Sequence, residues 1–292
     1  PEEIICEPKA YLNELMMDDN SGQPSAKEVF DTTPYTILVV DDNPDMTDFL
    51  KRTFEGYFKR IIIAGDGAEA LQLVRSHVPD IIVSDVMMPR MNGYKLCKTI
   101  KEDINISHIP VILLTARDDR QSQISGYKNG ADGYLSKPFE VEMLMELIRN
   151  RLKNREYTKK RYLNAGLIPT PEESTISLTD ETFLIKLNSI IQENIENSNL
   201  GIQFICQEVG LGRSSLYNKL KALTGMGANE YISKLRIEKA ITLISGTDMP
   251  FSEIAEKTGF TTPSYFSTAF KQYTGETPSQ YKERKKKGLA DK

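Results

Sequence analysis

The first half of the chain alternates short apolar runs, rich in β-branched residues, with amphipathic segments. Runs of this kind predict strands, and the segments between them predict helices. The strands are predicted at Thr36–Val40, Arg60–Ala64, Asp80–Ser84, Pro110–Thr115 and Asp132–Ser136. The helices are predicted at about 44–58, 66–77, 93–102 and 119–129, with a fifth from about 139. Nearly continuous apolar strands separated by helices are typical of a parallel sheet covered on both faces. We therefore expect an α/β doubly wound domain with five parallel strands.

The second half is helical in its pattern and contains an internal repeat, in which residues 204–231 match residues 253–281. Each copy predicts a short amphipathic helix, a turn that contains glycine, and a second helix with apolar residues at i, i+4 and i+7. These apolar residues are Leu216, Leu220 and Leu223 in the first copy and Phe266, Phe270 and Tyr273 in the second. This is the helix-turn-helix plan, whose second helix enters the major groove of DNA. Two hairpins of a plain helical bundle would explain the apolar stripes but not the basic residues beside them.

The segment between the two copies predicts one more helix, over about residues 228–245. At about 1.5 Å per residue it would be about 27 Å long, and one turn of B-DNA is about 34 Å. A rigid helix of that length could place the two second helices in successive major grooves on one face of the DNA.

Charge divides the chain in the same way as the hydrophobic pattern. The whole chain of 292 residues has a net charge of −4, residues 1–34 carry −6, and residues 200–287 carry +5. The C-terminal third is therefore the part that we expect to bind a polyanion. The chain is predicted to consist of five parts. These are an acidic leader at 1–34, extended or partly ordered, an α/β domain at 35–155, a helix extension with linker at 156–179, a helical domain at 180–287 and a short tail at 288–292.

Two classes of protein are disfavoured by composition. No run of about 18 apolar residues is present, so no membrane span is predicted. Cys6, Cys97 and Cys206 lie far apart without a C-x-x-C pattern, which argues against a zinc site and disulfides and favours the reducing cytoplasm. The first residues show neither an initiator Met nor a signal peptide pattern, and we expect the chain to be part of a longer protein.

Polar side chains follow four of the predicted strands. Asp41 and Asp42 follow the first, Asp85 follows the third, Thr115 ends the fourth and Lys137 follows the fifth. Carboxyl ends of parallel strands meet at one edge of the sheet. Two carboxylates about 4 Å apart repel by roughly 4 kcal/mol at an effective dielectric constant of about 20, so three of them require protonation or a cation. Oxygen ligands of this kind suit Mg²⁺, and a carboxylate beside Mg²⁺ can attack a phosphoryl donor to form an acyl phosphate.

Ordinary structural roles are the alternative for these residues. Asp41 and Asp42 precede Asn43 and Pro44, so they could cap a helix, and Lys137 before a proline could belong to a turn. Turns and caps explain each strand end by itself but do not explain why all four strand ends are polar.

Four motifs, "ILVVDDNPDM", "VSDVMMPRMNG", "LLTA" and "GYLSKPF", occur in that order between residues 35 and 155. Together they resemble the receiver domain of bacterial two-component response regulators, which has the flavodoxin-like fold. The resemblance implies that Asp85 is the phosphoacceptor. It also implies that Asp42, Asp85 and the backbone carbonyl of Met87 ligate Mg²⁺ directly, and that Asp41 acts through a metal-bound water.

The same resemblance implies roles for three further residues. Thr115 and Tyr134 look like the switch pair, in which the hydroxyl moves toward the phosphoryl group while the ring rotates inward. Lys137 would pair with the phosphoryl oxygens. Haloacid-dehalogenase-type phosphatases share much of this chemistry, but they place a second Asp two residues after the nucleophile, where this chain has Met87. A dinucleotide-binding fold is excluded because no G-x-G-x-x-G follows the first strand.

The helical half resembles the AraC-type DNA-binding domain over about residues 180–287. The resemblance depends on the "TG-x-x-x-x-x-Y" ending of each copy and on "FSEIAEKTGF". The implied base-contacting residues are Arg213, Ser214, Tyr217 and Asn218 on the first recognition helix and Ser264, Ser267 and Thr268 on the second. Lys221 and Lys271 are interpreted as phosphate contacts, and the run 284–287 is either a solvated tail or another such contact. Because the second helix offers hydroxyls and Pro263, base readout is expected to depend on the first helix and on DNA shape.

The leading hypothesis is a phosphorylation-regulated transcriptional regulator that binds double-stranded DNA. The acidic leader has a position similar to that of the segment after the kinase core in hybrid two-component sensors, so a histidine kinase upstream in the same full-length chain is expected. That parent could be anchored in the inner membrane, and a homodimer formed through the receiver is a further expectation. As this fragment, the chain would catalyse only its own phosphorylation and dephosphorylation. The alternatives are a phosphotransfer sink or weak phosphatase with a helical appendage, and a constitutive DNA binder with an uncoupled receiver.

Overall fold

The computed structural model describes residues 30–116, 130–164 and 177–290. Its first domain is a five-stranded parallel sheet in the order β2-β1-β3-β4-β5. The strands are β1 Thr36–Val40, β2 Arg60–Ala64, β3 Ile81–Asp85, β4 Val111–Thr115 and β5 Gly133–Ser136. The predicted α/β doubly wound fold is confirmed, and strand order reverses beside β1, where ligands bind in such sheets.

The third strand is displaced by one residue from its predicted position. Asp80 lies before it and accepts a hydrogen bond from the Thr36 backbone N–H at 2.9 Å. Asp85, predicted to follow the strand, is its last residue and is in register with Leu114 of β4. The carboxylate that the sequence placed after the strand is therefore held by the sheet itself.

Four helices of the first domain are described. They are α1 Pro44–Phe54, α2 Gly67–His77, α3 Gly93–Glu102 and α4 Val141–Asn164. The prediction that α1 extends to residue 58 is wrong, because Gly56 adopts φ +83° just after the helix, a conformation that favours glycine. The helix predicted at 119–129 lies outside the described residues. No described helix has both the length and the apolar character that crossing a membrane requires.

The second domain is helical, as predicted. Its elements are α5 Leu178–Glu193, α6 Ile202–Val209, α7 Arg213–Thr224, α8 Ala228–Gly246, α9 Phe251–Lys257, α10 Pro263–Thr274 and α11 Pro278–Ala290. The two helix-turn-helix units are α6–α7 and α9–α10, and α8 joins them as the predicted connecting helix. Thr262 caps α10 by accepting a hydrogen bond from the Tyr265 N–H at 3.2 Å.

Each unit has its own apolar core. Leu216, Leu220 and Leu223 are buried in the first, and Phe266 and Phe270 are buried in the second. The assignment of Tyr273 to the second apolar stripe is wrong. Its side chain is 38% exposed, and its hydroxyl lies 3.4 Å from Glu238 Oε1 on α8. A phenol at the edge of the core can pack its ring while its hydroxyl keeps a polar partner.

The second unit packs closely against the segment between α5 and α6 at one glycine. Gly259 has φ +71°, and a Cβ atom there would lie 2.2 Å from the Ile195 carbonyl oxygen. Next to it, Arg236 of α8 donates a hydrogen bond to the Asn197 carbonyl at 2.7 Å and stacks over Phe260. This junction ties the second unit and the connecting helix α8 to the segment that precedes the first unit.

The repeat supplies a matched pair of glycines for testing this packing. Gly210, the counterpart of Gly259 in the first unit, has φ +74° but nothing within 4 Å of a Cβ position. We expect Gly210→Ala to cost about 1–2 kcal/mol of unfolding free energy for its left-handed backbone. Gly259→Ala should cost about 1–3 kcal/mol more, because it also overpacks the junction. Denaturant unfolding of both variants measures the difference, and equal costs would contradict the close approach.

Candidate functional site

Three of the predicted strand-end residues meet at the carboxyl edge of the sheet. Lys137 Nζ lies 2.8 Å from Asp41 Oδ2 and 2.6 Å from Asp85 Oδ1. Asp41 and Asp85 are buried, and each also accepts a backbone hydrogen bond, from Asn43 N at 2.9 Å and from Met87 N at 2.7 Å. The ammonium group thus sits between two carboxylates, one directly after β1 and one at the end of β3, at the edge of the sheet where the strand order reverses.

The pKa values of this group reflect its burial. Burial raises the pKa of Asp85 above its ordinary value, and the charge and hydrogen bond of Lys137 only partly oppose this. Burial lowers the pKa of Lys137, but the hydrogen bonds and charges of Asp41 and Asp85 outweigh it, so that this pKa is raised. Lys137 is therefore positively charged at neutral pH, next to both carboxylates.

The third carboxylate, Asp42, is exposed beside this pair, and the Met87 side chain is 64% exposed. Within the described ranges, no group of three or more His, Cys, Asp or Glu side chains forms a metal cage. Mg²⁺ does not need one, because it usually takes one or two carboxylates and keeps several waters. The donors available here, three carboxylates and the Met87 carbonyl, are all oxygens. Their chemistry fits Mg²⁺.

Thr115 and Tyr134 lie on β4 and β5, beside the same edge. Thr115 is buried at the end of β4. The Tyr134 hydroxyl donates a hydrogen bond to the hydroxyl of Tyr94 at the start of α3, and the two rings stack with centroids 6.3 Å apart. Tyr94 was not identified from the sequence. Its place one residue after Gly93 in the "MNG" turn was the only signal available.

The loop between β3 and α3 turns closely under Asp85. A Cβ atom at Gly93 would lie 2.2 Å from the Asp85 carbonyl oxygen, so only glycine allows this approach. Asn92 caps α3 by accepting a hydrogen bond from the Lys95 N–H at 2.9 Å. The Asn-Gly pair after Asp85 therefore fixes where α3 begins relative to the carboxylate.

The predicted DNA-contacting residues lie on the two second helices, α7 and α10, and most are exposed. The exposed residues are Arg213, Ser214, Tyr217, Asn218, Lys221, Ser264, Thr268 and Lys271. Ser267 is partly buried and donates to the Pro263 carbonyl at 2.9 Å, and Thr268 donates to the Ser264 carbonyl at 3.1 Å. Both hydroxyls keep lone pairs that can accept a hydrogen bond.

One basic residue of α7 departs from this exposed set. Lys219 is fully buried and contacts Asp180 and Ser107, and none of these three was identified from the sequence. The signal that was available for Lys219 is its position three residues after Leu216, on the apolar face of the helix.

Comparisons with known proteins agree with this division of the chain. The response regulator receiver domain family matches residues 37–149, and a helix-turn-helix domain family matches residues 205–284. The chain is 41% identical to histidine kinase P4 of Formosa agariphila, over 85% of this chain and 18% of that protein. It is 36% identical to response regulator MprA of Mycobacterium sp. strain KMS, over 52% of this chain and 70% of that protein.

A further relative is the DNA-binding response regulator MtrA of Mycolicibacterium smegmatis. It is 36% identical to this chain, over 47% of the chain and 58% of that protein. The chain therefore spans a small part of histidine kinase P4 and little more than half of MtrA.

Proposed function

This chain belongs to the response regulator family, and from that premise we propose that it is a phosphorylation-regulated DNA-binding regulator of transcription. The observation that carries the proposal is the presence, in one chain, of a receiver's strand-end group around Asp85 and a duplicated helix-turn-helix with a net positive charge. The two halves correspond to an input that can be phosphorylated and an output that can bind DNA.

In the proposed reaction, Asp85 takes a phosphoryl group from a phosphohistidine of a histidine kinase. A carboxylate oxygen of Asp85 forms the new P–O bond, the P–N bond to the histidine breaks, and the ring nitrogen keeps the electron pair. Lys137, already 2.6 Å from Asp85 Oδ1, neutralises charge on the transferred group. Bound Mg²⁺, held by Asp42, Asp85 and the Met87 carbonyl and reached by Asp41 through water, would supply further charge neutralisation.

Thr115 and Tyr134 are the proposed switch pair. Thr115 is buried at the end of the strand next to β3 and would donate a hydrogen bond to a phosphoryl oxygen. Tyr134 would then exchange its hydrogen bond with Tyr94 for a more inward position. Met87 stands where a phosphatase would need an acid, which favours a phosphoryl group retained as a signal.

The histidine kinase that serves Asp85 is proposed to lie upstream in the same full-length chain. Support comes from histidine kinase P4, which resembles 85% of this chain but is much longer. The kinase needs ATP and the output domain needs DNA, so we expect both domains to lie in the cytoplasm. Anchoring of the full-length parent in the inner membrane stays a prediction. A homodimer formed through the receiver stays a prediction, which sedimentation with and without a phosphoryl mimic would check.

DNA binding by the two recognition helices has two separable parts. We expect Arg213→Ala to weaken binding by about 1–3 kcal/mol and to relax specificity at one base position, because this exposed residue opens α7. Lys271→Ala should lower the salt slope of binding by about 0.9 with little effect on specificity, since a phosphate contact carries no sequence information. Titrations at several salt concentrations measure both. Arg52→Ala, an exposed change on the receiver, should leave binding unchanged.

Selection of bound duplexes from a random DNA pool tests the proposed function as a whole. It is run with and without beryllofluoride and Mg²⁺, which together mimic the phosphoryl group on Asp85. An enriched sequence whose affinity changes with beryllofluoride is the expected result. No enrichment in either condition would contradict DNA recognition, and enrichment with equal affinities would favour a constitutive DNA binder.

A further inference from the structure

A buried polar cluster joins the receiver to the first helix-turn-helix unit. Its members are Ser107, in the receiver loop before β4, Asp180 on α5 and Lys219 on α7. Ser107 Oγ donates to Asp180 Oδ1 at 2.7 Å, Lys219 Nζ donates to Ser107 Oγ at 2.8 Å, and Lys219 Nζ also pairs with Asp180 Oδ1. Ser107 and Lys219 are fully buried, and Asp180 is 2% exposed. The ion pair belongs to the helical domain, and the receiver covers it.

Contacts around the cluster also cross between the two domains. Thr179 Oγ1 donates to the Lys101 carbonyl of the receiver at 3.0 Å. Ile104, in the same receiver loop as Ser107, packs against the apolar core of the first helix-turn-helix unit. A cavity of about 70 Å³, bordered by Arg155 of α4 and Leu223 of α7, remains beside the cluster. The receiver therefore contacts the first recognition helix through a mixed polar and apolar surface that is not completely filled.

The internal repeat shows that a helix-turn-helix of this chain does not need the buried lysine. The residue of the second unit that corresponds to Lys219 is Ala269, and it packs against the core of its own unit. Only the unit that meets the receiver has a charge at this position. A role in DNA binding does not explain the lysine either, because a fully buried ammonium cannot reach a phosphate.

The energetics of the cluster favour a docking role over a stabilising one. A buried ion pair is often no more stable than apolar residues of the same volume, because both charges lose their hydration. When the receiver moves away, Asp180 and Lys219 remain together on the helical domain and are exposed to water as a pair. Undocking therefore restores hydration and leaves no charge unpaired, which suits a contact that opens and closes.

We infer that the Ser107–Asp180–Lys219 cluster is the docking contact through which the receiver positions the first recognition helix, α7. The inference rests on the proposed function and adds a route to it. Phosphorylation of the receiver changes DNA binding through the position of α7 and not through that of α10. Arg213, Ser214 and Asn218 are exposed on α7 while the cluster is formed. Docking therefore orients the helix and does not cover its DNA-binding face. Lys219 acts as a positioning residue.

The test compares two changes on the same helix, made in the full chain. Asp180→Leu with Lys219→Met removes the pair without leaving a buried charge, and Lys221→Met removes an exposed lysine two residues further on. The probe is the duplex that wild-type protein selects from a random pool. Two quantities are measured for each protein: the ratio of affinities with and without beryllofluoride and Mg²⁺, and the salt slope of binding.

The two variants are expected to separate these quantities. The double variant should keep the wild-type salt slope while its affinity ratio falls to near one. Lys221→Met should keep the wild-type ratio while its salt slope falls by about 0.9. A double variant with the wild-type ratio would overturn the inference, and so would one whose salt slope falls as it does for Lys221→Met.

Two further measurements keep the result interpretable. Ser107→Ala removes only the receiver's hydroxyl, so it should fold and lower the affinity ratio even if the double variant does not fold; an unchanged ratio would overturn the inference. If wild-type protein selects no duplex, or shows a ratio of one, the proposed function itself fails and the inference fails with it. If the affinity of wild type changes with beryllofluoride and that of the double variant changes equally, the inference is overturned but the proposed function stands.

Discussion

Replacing Asp85 by asparagine is expected to abolish phosphoryl acceptance by this chain. An amide has no nucleophilic carboxylate oxygen, and removing a nucleophile typically lowers the rate by at least about 10³-fold. Lys137 keeps its second partner, Asp41, at 2.8 Å, so the strand-end group should remain folded. Transfer of labelled phosphoryl from acetyl phosphate in the presence of Mg²⁺ measures the effect.

A nearby carboxylate serves as the matched control for Asp85. Asp45 is exposed in the first turn of α1, whereas the carboxylates that pair with Lys137 are Asp41 and Asp85, and Asp45→Asn should accept phosphoryl as wild type does. In cells, a promoter that responds to the kinase should lose its response with Asp85→Asn and keep it with Asp45→Asn. Hydroxylamine-labile phosphate on Asp85→Asn at the wild-type level would place the acceptor carboxylate elsewhere.

Lys219→Met alone is expected to be the most destabilising of the changes considered on α7. It leaves the Asp180 carboxylate buried with only the hydroxyls of Ser107 and Ser177, and removing one partner of a buried ion pair costs about 3–5 kcal/mol. Adding Asp180→Leu should recover most of this loss, because the remaining charge is then removed. Lys221→Met, at an exposed site, should stay within about 0.5 kcal/mol of wild type.

The unfolding free energy of Lys219→Met should also depend on pH, in the direction opposite to that of wild type. Burial raises the pKa of Asp180, but Lys219 and the hydroxyls of Ser107 and Ser177 outweigh it and hold that pKa below its ordinary value. In wild type this carboxylate therefore stabilises the fold at neutral pH, and the stabilisation is lost as pH falls through the native pKa. Without Lys219, burial dominates and raises the pKa, so the variant should gain stability relative to wild type on acidification.

Denaturant unfolding at neutral and mildly acidic pH measures both effects. If Lys219→Met loses less than about 1 kcal/mol of unfolding free energy at neutral pH, Asp180 is hydrated rather than buried. A variant whose deficit grows as pH falls would contradict the expected sign. The double variant is the control for Lys219→Met, because it has no carboxylate at position 180 and should lack this pH dependence.

Local patterns were sufficient for most of the fold. β1 and β2 begin and end where the apolar runs predicted. β1 lies in the interior of the sheet and is buried along almost its whole length, which requires a continuous run of apolar residues. α7 and α10 follow from the repeat, and Thr262 with Pro263 marks the start of α10. Errors occurred where a single residue decides the boundary, as at Gly56 after α1, or where an aromatic ring has a polar end, as at Tyr273.

The sequence by itself determined the two domains, the phosphoacceptor candidate and the face of each recognition helix, because these depend on residue type and on spacing within a few turns or strands. Only the tertiary structure decided which distant side chains meet. Tyr134 contacts Tyr94, and Lys219 contacts Ser107 across 112 residues. The position of Lys219 three residues after Leu216 marks the apolar face of α7, but that position alone does not say whether a neighbouring domain covers the lysine. Its burial depends on the surface packed against it, which no periodicity along the chain encodes.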